Sequence, residues 1–249
     1  MKSMIFAAGL GSRLKPLTDT MPKALVPVGG KPLLAHVVEK LKAAGSQEII
    51  INVHHFADQI MEYVRAQNNF DIRIEFSDER NELLETGGGL KKASRFFDDG
   101  KPFLVHNVDI LSNIDLPALY QQHIANQSLA TLVVSPRDTT RYLLFDKQYD
   151  LKGWINENTG ELRPAGFTHP ENYHKLAFAG IQVVSPEIFP LMASRSSRFP
   201  IIDFYLSISK THKIHGSVPD GFKMIDVGKL DVLEEAEKFY KLEILPDFE

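Results

Sequence analysis

The sequence predicts an α/β protein with a single Rossmann-like, mostly parallel mixed sheet and helices on both faces. In the first half, short apolar segments such as 48–52 (EIIIN) alternate with segments of helical periodicity. These apolar segments are continuous instead of alternating with polar residues, which is typical of parallel strands covered on both faces. Glycines and charged residues collect where the predicted strands end, and parallel sheets bind ligands at that edge.

The predicted elements follow one another without a linker or an internal repeat, so residues 1–249 are expected to form one domain. The predicted strands cover 4–8, 48–52, 72–76, 103–107, 130–134, 176–184 and 222–226. Helices are predicted from Pro32, at the first helical position, to Gly45, over 57–67, near Gly89, over 116–126 and over 229–242. The polar residues 136–175 are expected to form hairpins or loops that supplement the sheet.

Composition excludes several classes of function. The 249 residues are 43% hydrophobic and carry a net charge of −4 without a block of Lys or Arg, so nucleic acid is not an expected partner. The absence of cysteine excludes disulfides and thiolate metal sites. No segment approaches the roughly 20 apolar residues of a membrane span, and the short N-terminal apolar run does not fit a signal peptide. We therefore expect a cytoplasmic protein without a membrane partner.

A glycine-rich loop follows the first predicted strand. Gly9 and Gly11 allow left-handed backbone angles and close approach of a ligand, and successive N–H groups can then form an anion-binding nest. Arg13 and Lys23 add cationic side chains that suit phosphate oxygens. The loop matches neither a Walker A motif, which ends in Gly-Lys-Ser/Thr, nor the dinucleotide fingerprint, whose third glycine is Leu14 here.

Two aspartates stand at or just past the ends of predicted strands. Asp109 follows FLVHN, and Asp226 ends 222–226. A single aspartate there is most often a turn or helix cap. Two of them beside a phosphate loop are able to share Mg²⁺, which prefers carboxylate and phosphate oxygens.

Three consecutive glycines stand at a predicted helix start in 84–89 (LETGGG). Ordering each glycine costs roughly 0.5–1 kcal/mol relative to alanine. The alternatives are a flexible hinge or a backbone that something else must approach closely.

The segment 7–28 resembles the signature of the sugar-1-phosphate nucleotidyltransferases, GxGxRxxPLT followed by PKxxxPV. The matching positions are Gly9, Gly11, Arg13, Pro16, Leu17, Thr18, Pro22, Lys23, Pro27 and Val28. The segment LETGGG is similar to the equivalent loop of the N-acetylmuramate-1-phosphate uridylyltransferases of bacterial cell-wall recycling. The resemblance implies the nucleotide-diphospho-sugar transferase fold.

The resemblance also implies a role for each matching residue. Arg13, Lys23 and Asp109 are expected to be catalytic, and Asp109 and Asp226 to hold Mg²⁺. Arg13 would neutralise the β- and γ-phosphates, and Lys23 would steady the phosphates at the reacting centre. The substrate-binding residues are expected to be Ala8, Gly9, Gly11, Ser12, Glu85, Gly87, Gly88, Asn107 and Gly180.

The sequence departs from the family pattern at several positions. Val108 replaces a glycine before Asp109, and Lys229 replaces a common threonine. The family's E-K-P motif has no clean counterpart, with Glu157 and Glu161 as candidate substitutes. The cell-wall recycling relatives lack this motif too. Trp154, the only tryptophan, is interpreted as a packing residue.

The expected reaction joins a nucleoside triphosphate, UTP above all, to a sugar 1-phosphate such as N-acetylmuramic acid 1-phosphate. The sugar phosphate oxygen attacks the α-phosphorus in line, and pyrophosphate leaves. The alternatives are guanylyl transfer from GTP to mannose or heptose 1-phosphate, and a non-catalytic nucleotide-sugar sensor. Monomer and small homo-oligomer both stay open.

Overall fold

The computed structural model describes residues 1–245, which divide into two compact units. Unit 1 comprises Met1–Leu83, Leu104–Pro117 and the chain from Gly221 onwards, and unit 2 comprises Leu84–Phe103 and Ala118–Asp220. The expectation that residues 1–249 form one domain stays a prediction. No helix of the described residues is long and apolar enough to cross a membrane.

The strands and helices of the described residues are numbered in chain order. The strands are β1 (Lys2–Phe6), β2 (Pro27–Val28), β3 (Lys31–Pro32), β4 (Glu48–Val53), β5 (Arg73–Asp78), β6 (Phe103–Asn107), β7 (Ile110–Ser112), β8 (Ala130–Ser135), β9 (Arg141–Phe145), β10 (Leu151–Asn156), β11 (Glu161–Arg163), β12 (His174–Val184), β13 (Ile214–Ser217) and β14 (Met224–Asp226). The helices are α1 (Leu33–Ala43), α2 (Ala57–Ala66), α3 (Glu85–Lys92), α4 (Leu116–Asn126), α5 (Ile188–Met192), α6 (Ile201–Ile208) and α7 (Leu233–Phe239).

Unit 1 contains a parallel sheet in the order β6-β1-β4-β5. The chain passes from β1 to one side for β4 and returns to the other side for β6, so the strand order reverses at β1. Crevices beyond the carboxyl ends of strands at such a reversal are the usual ligand sites of open α/β sheets. The glycine-rich loop begins where β1 ends, and Asp109 follows the end of β6.

Two small antiparallel pairs complete the sheet structure of unit 1. β2 pairs with β3 inside the glycine-rich loop region, and β7 pairs with β14, with Ile110 opposite Asp226. The second pair brings the chain around residue 110 against the chain around residue 226, which are more than 100 residues apart in sequence.

Unit 2 is built on antiparallel pairing. The early part of β12 pairs with β9, its later part with β8, and β9, β10 and β11 form consecutive hairpins. β13 adds to β8 in parallel. Three of these strands, β9 to β11, lie in the polar segment 136–175, which confirms the predicted hairpins.

Several predicted boundaries differ from the structure; the first strand, for example, is predicted over 4–8 and covers Lys2–Phe6. Pro32 lies in β3, one position before α1, because its ψ of 144° is extended and not helical. α3 begins at Glu85, so the glycines of LETGGG lie inside the helix and not before it. The predicted helix 229–242 consists of a 3-10 turn (Leu230–Val232), α7, and a π-helical turn (Tyr240–Ile244).

A buried histidine in unit 2 is held in its neutral form. His123 contacts the hydroxyl oxygens of Thr131 and Ser185, each at 2.9 Å, and the Ser185 hydroxyl donates to the carbonyl of Ser128 at 3.0 Å. The Ser185 oxygen therefore accepts from Nε2, and Nδ1 is left to accept from Thr131. Burial lowers the pKa of His123 to about 4.

We predict that His123 makes the protein less stable in acid. Because its pKa falls on folding, the unfolded chain binds more protons between pH 6.5 and 4. Its contribution is complete above pH 6.5 and is lost as the pH falls through this window, with a loss on the order of 3 kcal/mol. The free energy of unfolding, measured in urea from pH 7.5 to 4.5, should fall less steeply in His123→Gln than in the wild type. The exposed His169→Gln is the control, and equal slopes for all three proteins would contradict the prediction.

Candidate active site

Gly11 shapes the glycine-rich loop. Its φ of +64° lies in the left-handed region, and a Cβ added there would lie 2.9 Å from Cγ2 of Thr18. The Gly11 carbonyl accepts hydrogen bonds from the Leu14 amide and the Thr18 hydroxyl, both at 2.8 Å. Glycine at this position is therefore required by both backbone angle and space, as predicted.

Gly9 differs from the prediction, because its φ is outside the left-handed region. It is exposed, and a Cβ added there would meet no heavy atom of the described residues within 4 Å. The neighbouring Ala8 is buried and Ser12 is exposed at the start of a 3-10 turn. Gly9 thus leaves its backbone open to close approach of a ligand.

One apolar cluster anchors this loop. Leu14, Val26 and Val28 are fully buried against Leu111 of β7 and against residues 225 and 227, which flank Asp226. Ala236 and Tyr240 from the C-terminal helical region pack in the same cluster. The cluster therefore packs the loop that carries Arg13 and Lys23 against the chain next to Asp109 and Asp226.

Lys23 and Asp109 form an ion pair in unit 1. The Lys23 Nζ donates to Oδ2 of Asp109, and both side chains are mostly buried. The Val108 amide donates to the carbonyl of Phe6 at 3.1 Å, which ties the turn before Asp109 to the end of β1. A carboxylate has two oxygens, so Asp109 keeps Oδ1 for another ligand while Oδ2 bonds to Lys23.

Arg13 and Asp226 meet at Gly228. A Cβ added to Gly228 would lie 2.7 Å from Oδ1 of Asp226 and 3.1 Å from Nη2 of Arg13. The Val227 amide donates to the carbonyl of Asp109 at 2.8 Å, which joins the two aspartate-bearing turns through their backbones. Unit 1 thus gathers Arg13, Lys23, Asp109 and Asp226 around these turns.

The donor set fits a magnesium ion only if other ligands complete it. Within residues 1–245, no group of three or more His, Cys, Asp or Glu is arranged to hold a metal. Mg²⁺ commonly takes one or two carboxylates, several waters and substrate phosphate oxygens. Asp109 and Asp226 lie on backbones joined by a hydrogen bond, and their role as magnesium ligands stays a prediction.

Two residues without a predicted role support the start of the loop. The Asn52 Oδ1 accepts from the amides of Ala7 and Ala8 at 2.7 and 3.3 Å, and its Nδ2 donates to Oε1 of Glu79 at 2.9 Å. Both side chains are buried. Asn52 could have been found from the sequence, because it is a polar residue at the end of an otherwise apolar strand. Its pairing with Glu79 could not, because it depends on the parallel register of β4 and β5.

In unit 2, the glycines of α3 pack against the chain at 197–199. The amides of Gly87 and Gly88 donate to the carbonyl of Phe199 at 2.9 and 3.2 Å, and a Cβ on Gly88 would lie 2.0 Å from the Ser197 carbonyl oxygen. Glu85, with φ of +61°, accepts from Nε of Arg198 at 3.1 Å. This packing explains why glycine is needed there, while the role of these residues in binding substrate stays a prediction.

The remaining predicted residues lie at strand irregularities and ends. Gly180 has φ of +74° and falls where the register between β12 and β8 shifts. Asn107 ends β6, and its carbonyl contacts Nδ1 of the buried His106 at 2.7 Å. Burial lowers the pKa of His106 to about 4, so this imidazole is neutral.

The two candidate substitutes for the E-K-P glutamate both have cationic partners in unit 2. Glu157 pairs with Lys175 at 2.8 Å, and Glu161 pairs with Arg163 at 2.8 Å. The Arg163 guanidinium lies over the Trp154 ring at 4.5 Å.

Comparison with known proteins agrees with this chemistry. Residues 2–145 match the family model described as nucleotidyl transferase. The chain is 32% identical to an N-acetylmuramate alpha-1-phosphate uridylyltransferase of Neisseria meningitidis over 248 residues, covering 95% of this chain and 97% of that protein. It is 30% identical to an enzyme of the same name from Caulobacter vibrioides, covering 89% and 90%.

A solved structure confirms the predicted fold class. A putative glucose-1-phosphate thymidylyltransferase from Bacillus anthracis superposes with a TM-score of 0.81 at 17% identity, covering 99% of this chain and 98% of that one. At this identity the likeness concerns the fold alone.

An α/β fold with two basic side chains and two aspartates gathered near its glycine-rich loop is typical of proteins that bind phosphorylated ligands. The chain belongs to the nucleotidyl transferase family. It is an enzyme of the sugar-1-phosphate nucleotidyltransferase class, as the sequence predicted.

We predict that activity depends on the hydrogen bond between residues 52 and 79, and not on which of the two carries the amide and which the carboxylate. Asn52→Asp places a second carboxylate beside Glu79, which should lower kcat/KM at least tenfold because the start of the loop loses its support. In Asn52→Asp/Glu79→Gln, the new amide donates to the new carboxylate, and both loop amides keep their acceptor. Steady-state kinetics should show recovery to within a few-fold of the wild type. A double variant as impaired as the single one would contradict this role.

Gly228→Ala should impair turnover while leaving the fold intact. The three heavy atoms nearest the new methyl group all belong to the side chains of Asp226 and Arg13, so we expect these side chains to shift rather than the backbone. A displacement of about 1 Å in a catalytic group can cost roughly 100-fold in rate. We expect a tenfold to 100-fold fall in kcat and a melting temperature close to the wild type. Turnover within twofold of the wild type would show that neither group needs its present position.

Proposed function

We propose that this chain transfers a uridylyl group from UTP to N-acetylmuramic acid 1-phosphate, releasing pyrophosphate, as an enzyme of cell-wall recycling. The observation that carries the proposal is the gathering of Arg13, Lys23, Asp109 and Asp226 in unit 1. The choice of substrates is supported by the two relatives that are 30% and 32% identical over most of both chains.

The reaction needs alignment and neutralisation of charge more than covalent chemistry. A sugar phosphate oxygen forms a bond to the α-phosphorus of UTP, and the bond from that phosphorus to the bridging oxygen breaks. The electron pair leaves with pyrophosphate, and no protein nucleophile is required. Open backbone at Gly9 and the left-handed turn at Gly11 suit the binding of phosphate oxygens by main-chain amides.

Each charged residue has a distinct part in this proposal. Arg13 neutralises the leaving pyrophosphate with its planar guanidinium, and Lys23 neutralises charge at the α-phosphate. Asp109 holds Lys23 in place before substrates bind, and Asp109 and Asp226 would hold Mg²⁺. When bound, Mg²⁺ supplies positive charge to the phosphate oxygens.

UTP is a cytoplasmic metabolite, so the proposal places the enzyme in the cytoplasm, in keeping with its lack of cysteine. Its partners are a nucleoside triphosphate and a sugar 1-phosphate.

The test is pyrophosphate release measured across a matrix of five nucleotides and five sugar 1-phosphates. The nucleotides are UTP, dTTP, GTP, CTP and ATP, and the sugars are N-acetylmuramic acid, N-acetylglucosamine, glucose, mannose and heptose. The proposal requires the highest kcat/KM with UTP and the muramic acid derivative. Preference for GTP with mannose or heptose would replace the substrates and keep the reaction. Nucleotide binding without release from any pair would indicate a sensor.

Removal of single charges should identify the catalytic groups. Asp109→Asn and Asp226→Asn should each lower kcat/KM and raise the Mg²⁺ concentration needed for half-maximal rate. Arg13→Ala should lower kcat 100-fold to 1000-fold, or about 3–4 kcal/mol of transition-state stabilisation. The controls are Asp231→Asn and Arg65→Ala, which change exposed residues of unit 1. Near-normal turnover in both aspartate variants would remove the metal assignment, and an effect below tenfold would remove Arg13 from the mechanism.

A further inference from the structure

Unit 2 contains a pocket of about 460 Å³ whose wall carries three guanidinium groups, from Arg137, Arg141 and Arg163. We call it the arginine pocket. Its volume is within the range of small-molecule sites. The side chain of Trp154 and several other apolar groups line the rest of the wall. Apolar wall and clustered guanidinium groups together suit a ring-bearing anion.

One of the three arginines is already neutralised. Arg163 bonds to Glu161 at 2.8 Å through Nε and to Asp203 at 2.7 Å through Nη1, and it stacks on Trp154. Glu161 and Asp203 are the only acidic residues in the described lining of the pocket. Arg163 is therefore a fixed part of the wall, held by two carboxylates and an aromatic face.

The other two arginines supply uncompensated positive charge. Arg137 donates to the carbonyl of Phe178 at 3.2 Å, and neither Arg137 nor Arg141 pairs with a carboxylate among the described residues. Both side chains are exposed. Three arginines against two carboxylates leave the pocket with a net positive lining, and Arg137 and Arg141 are the two arginines of that lining without a carboxylate partner. A planar guanidinium can bind a carboxylate through two parallel hydrogen bonds.

We infer that Arg137 and Arg141 bind the carboxylate of the sugar substrate, which makes the arginine pocket a specificity site for acidic sugars. The inference rests on the proposed function. N-acetylmuramic acid 1-phosphate carries two anionic groups, the phosphate and the carboxylate of its lactyl ether. The carboxylate is the charge that distinguishes this substrate from neutral sugar 1-phosphates. N-acetylglucosamine 1-phosphate has the same ring and acetamido group without the lactyl ether, so it is the matched ligand.

The expected effect is a loss of discrimination between these two sugars. A site that binds a substrate carboxylate with a charged partner rejects an analogue without it, because the partner then stays unpaired. In Arg137→Ala/Arg141→Ala, the ratio of kcat/KM for the muramic acid derivative to that for N-acetylglucosamine 1-phosphate should fall at least tenfold. The change should come mainly from KM for the muramic acid derivative. Arg141→Lys should lie between the wild type and Arg141→Ala, because it keeps the charge without the fork.

The experiment measures UTP-dependent pyrophosphate release with both sugars, and direct binding of both sugars by isothermal titration calorimetry. The control is Arg95→Ala, which changes an exposed arginine of unit 2 outside the pocket lining. Melting temperatures identify any variant that fails to fold, and the single variants then replace the double one. A fall in the ratio that is absent from Arg95→Ala supports the inference.

Two other results would overturn the inference. In the first, the wild type uses the muramic acid derivative, and the variants either keep the ratio of kcat/KM for the two sugars or lose activity with both sugars equally. The arginine pocket then does not bind the carboxylate, and the proposed function stands. If the wild type transfers only to sugars without a carboxylate, the proposed function fails and the inference fails with it.

Discussion

The charges of unit 1 depend on a buried apolar cluster that lies under the glycine-rich loop. The regular structure of this loop is limited to short 3-10 turns and the two-residue ladder of β2 and β3, yet Leu14, Val26 and Val28 are fully buried. Burial of one such side chain contributes roughly 1.5–3 kcal/mol, which is enough to offset the entropy of ordering a few loop residues. Because Leu111 and Ile225 belong to the same cluster, apolar packing sets the positions of Arg13, Lys23, Asp109 and Asp226.

Polar contacts add to the apolar cluster in holding the glycine-rich loop and its charged residues in place. Asn52 accepts two amides at the start of the loop, and Glu79 fixes the orientation of Asn52 from the neighbouring strand. The ion pair of Lys23 and Asp109 holds two charges in a mostly buried setting where either one alone would be costly.

Glycines serve three different purposes in this chain. Gly11 supplies a left-handed backbone angle, Gly228 leaves space for the ends of Arg13 and Asp226, and Gly88 lets the carbonyl of Ser197 approach. A motif of consecutive glycines such as LETGGG signals close approach, but it does not tell what approaches. Here the chain itself does, because α3 packs against residues 197–199.

The sequence by itself determined the strands of the parallel sheet, the phosphate-type loop and the position of each aspartate after a strand. These features depend on local patterns of apolar residues, glycine and charge, which can be read within about ten residues. Only the tertiary structure decided that Lys23 pairs with Asp109, that Glu79 orients Asn52, and that Arg163 is neutralised while Arg137 and Arg141 are not. Those pairings join residues that are far apart in the chain, and they depend on strand register and loop packing, which local sequence patterns do not encode.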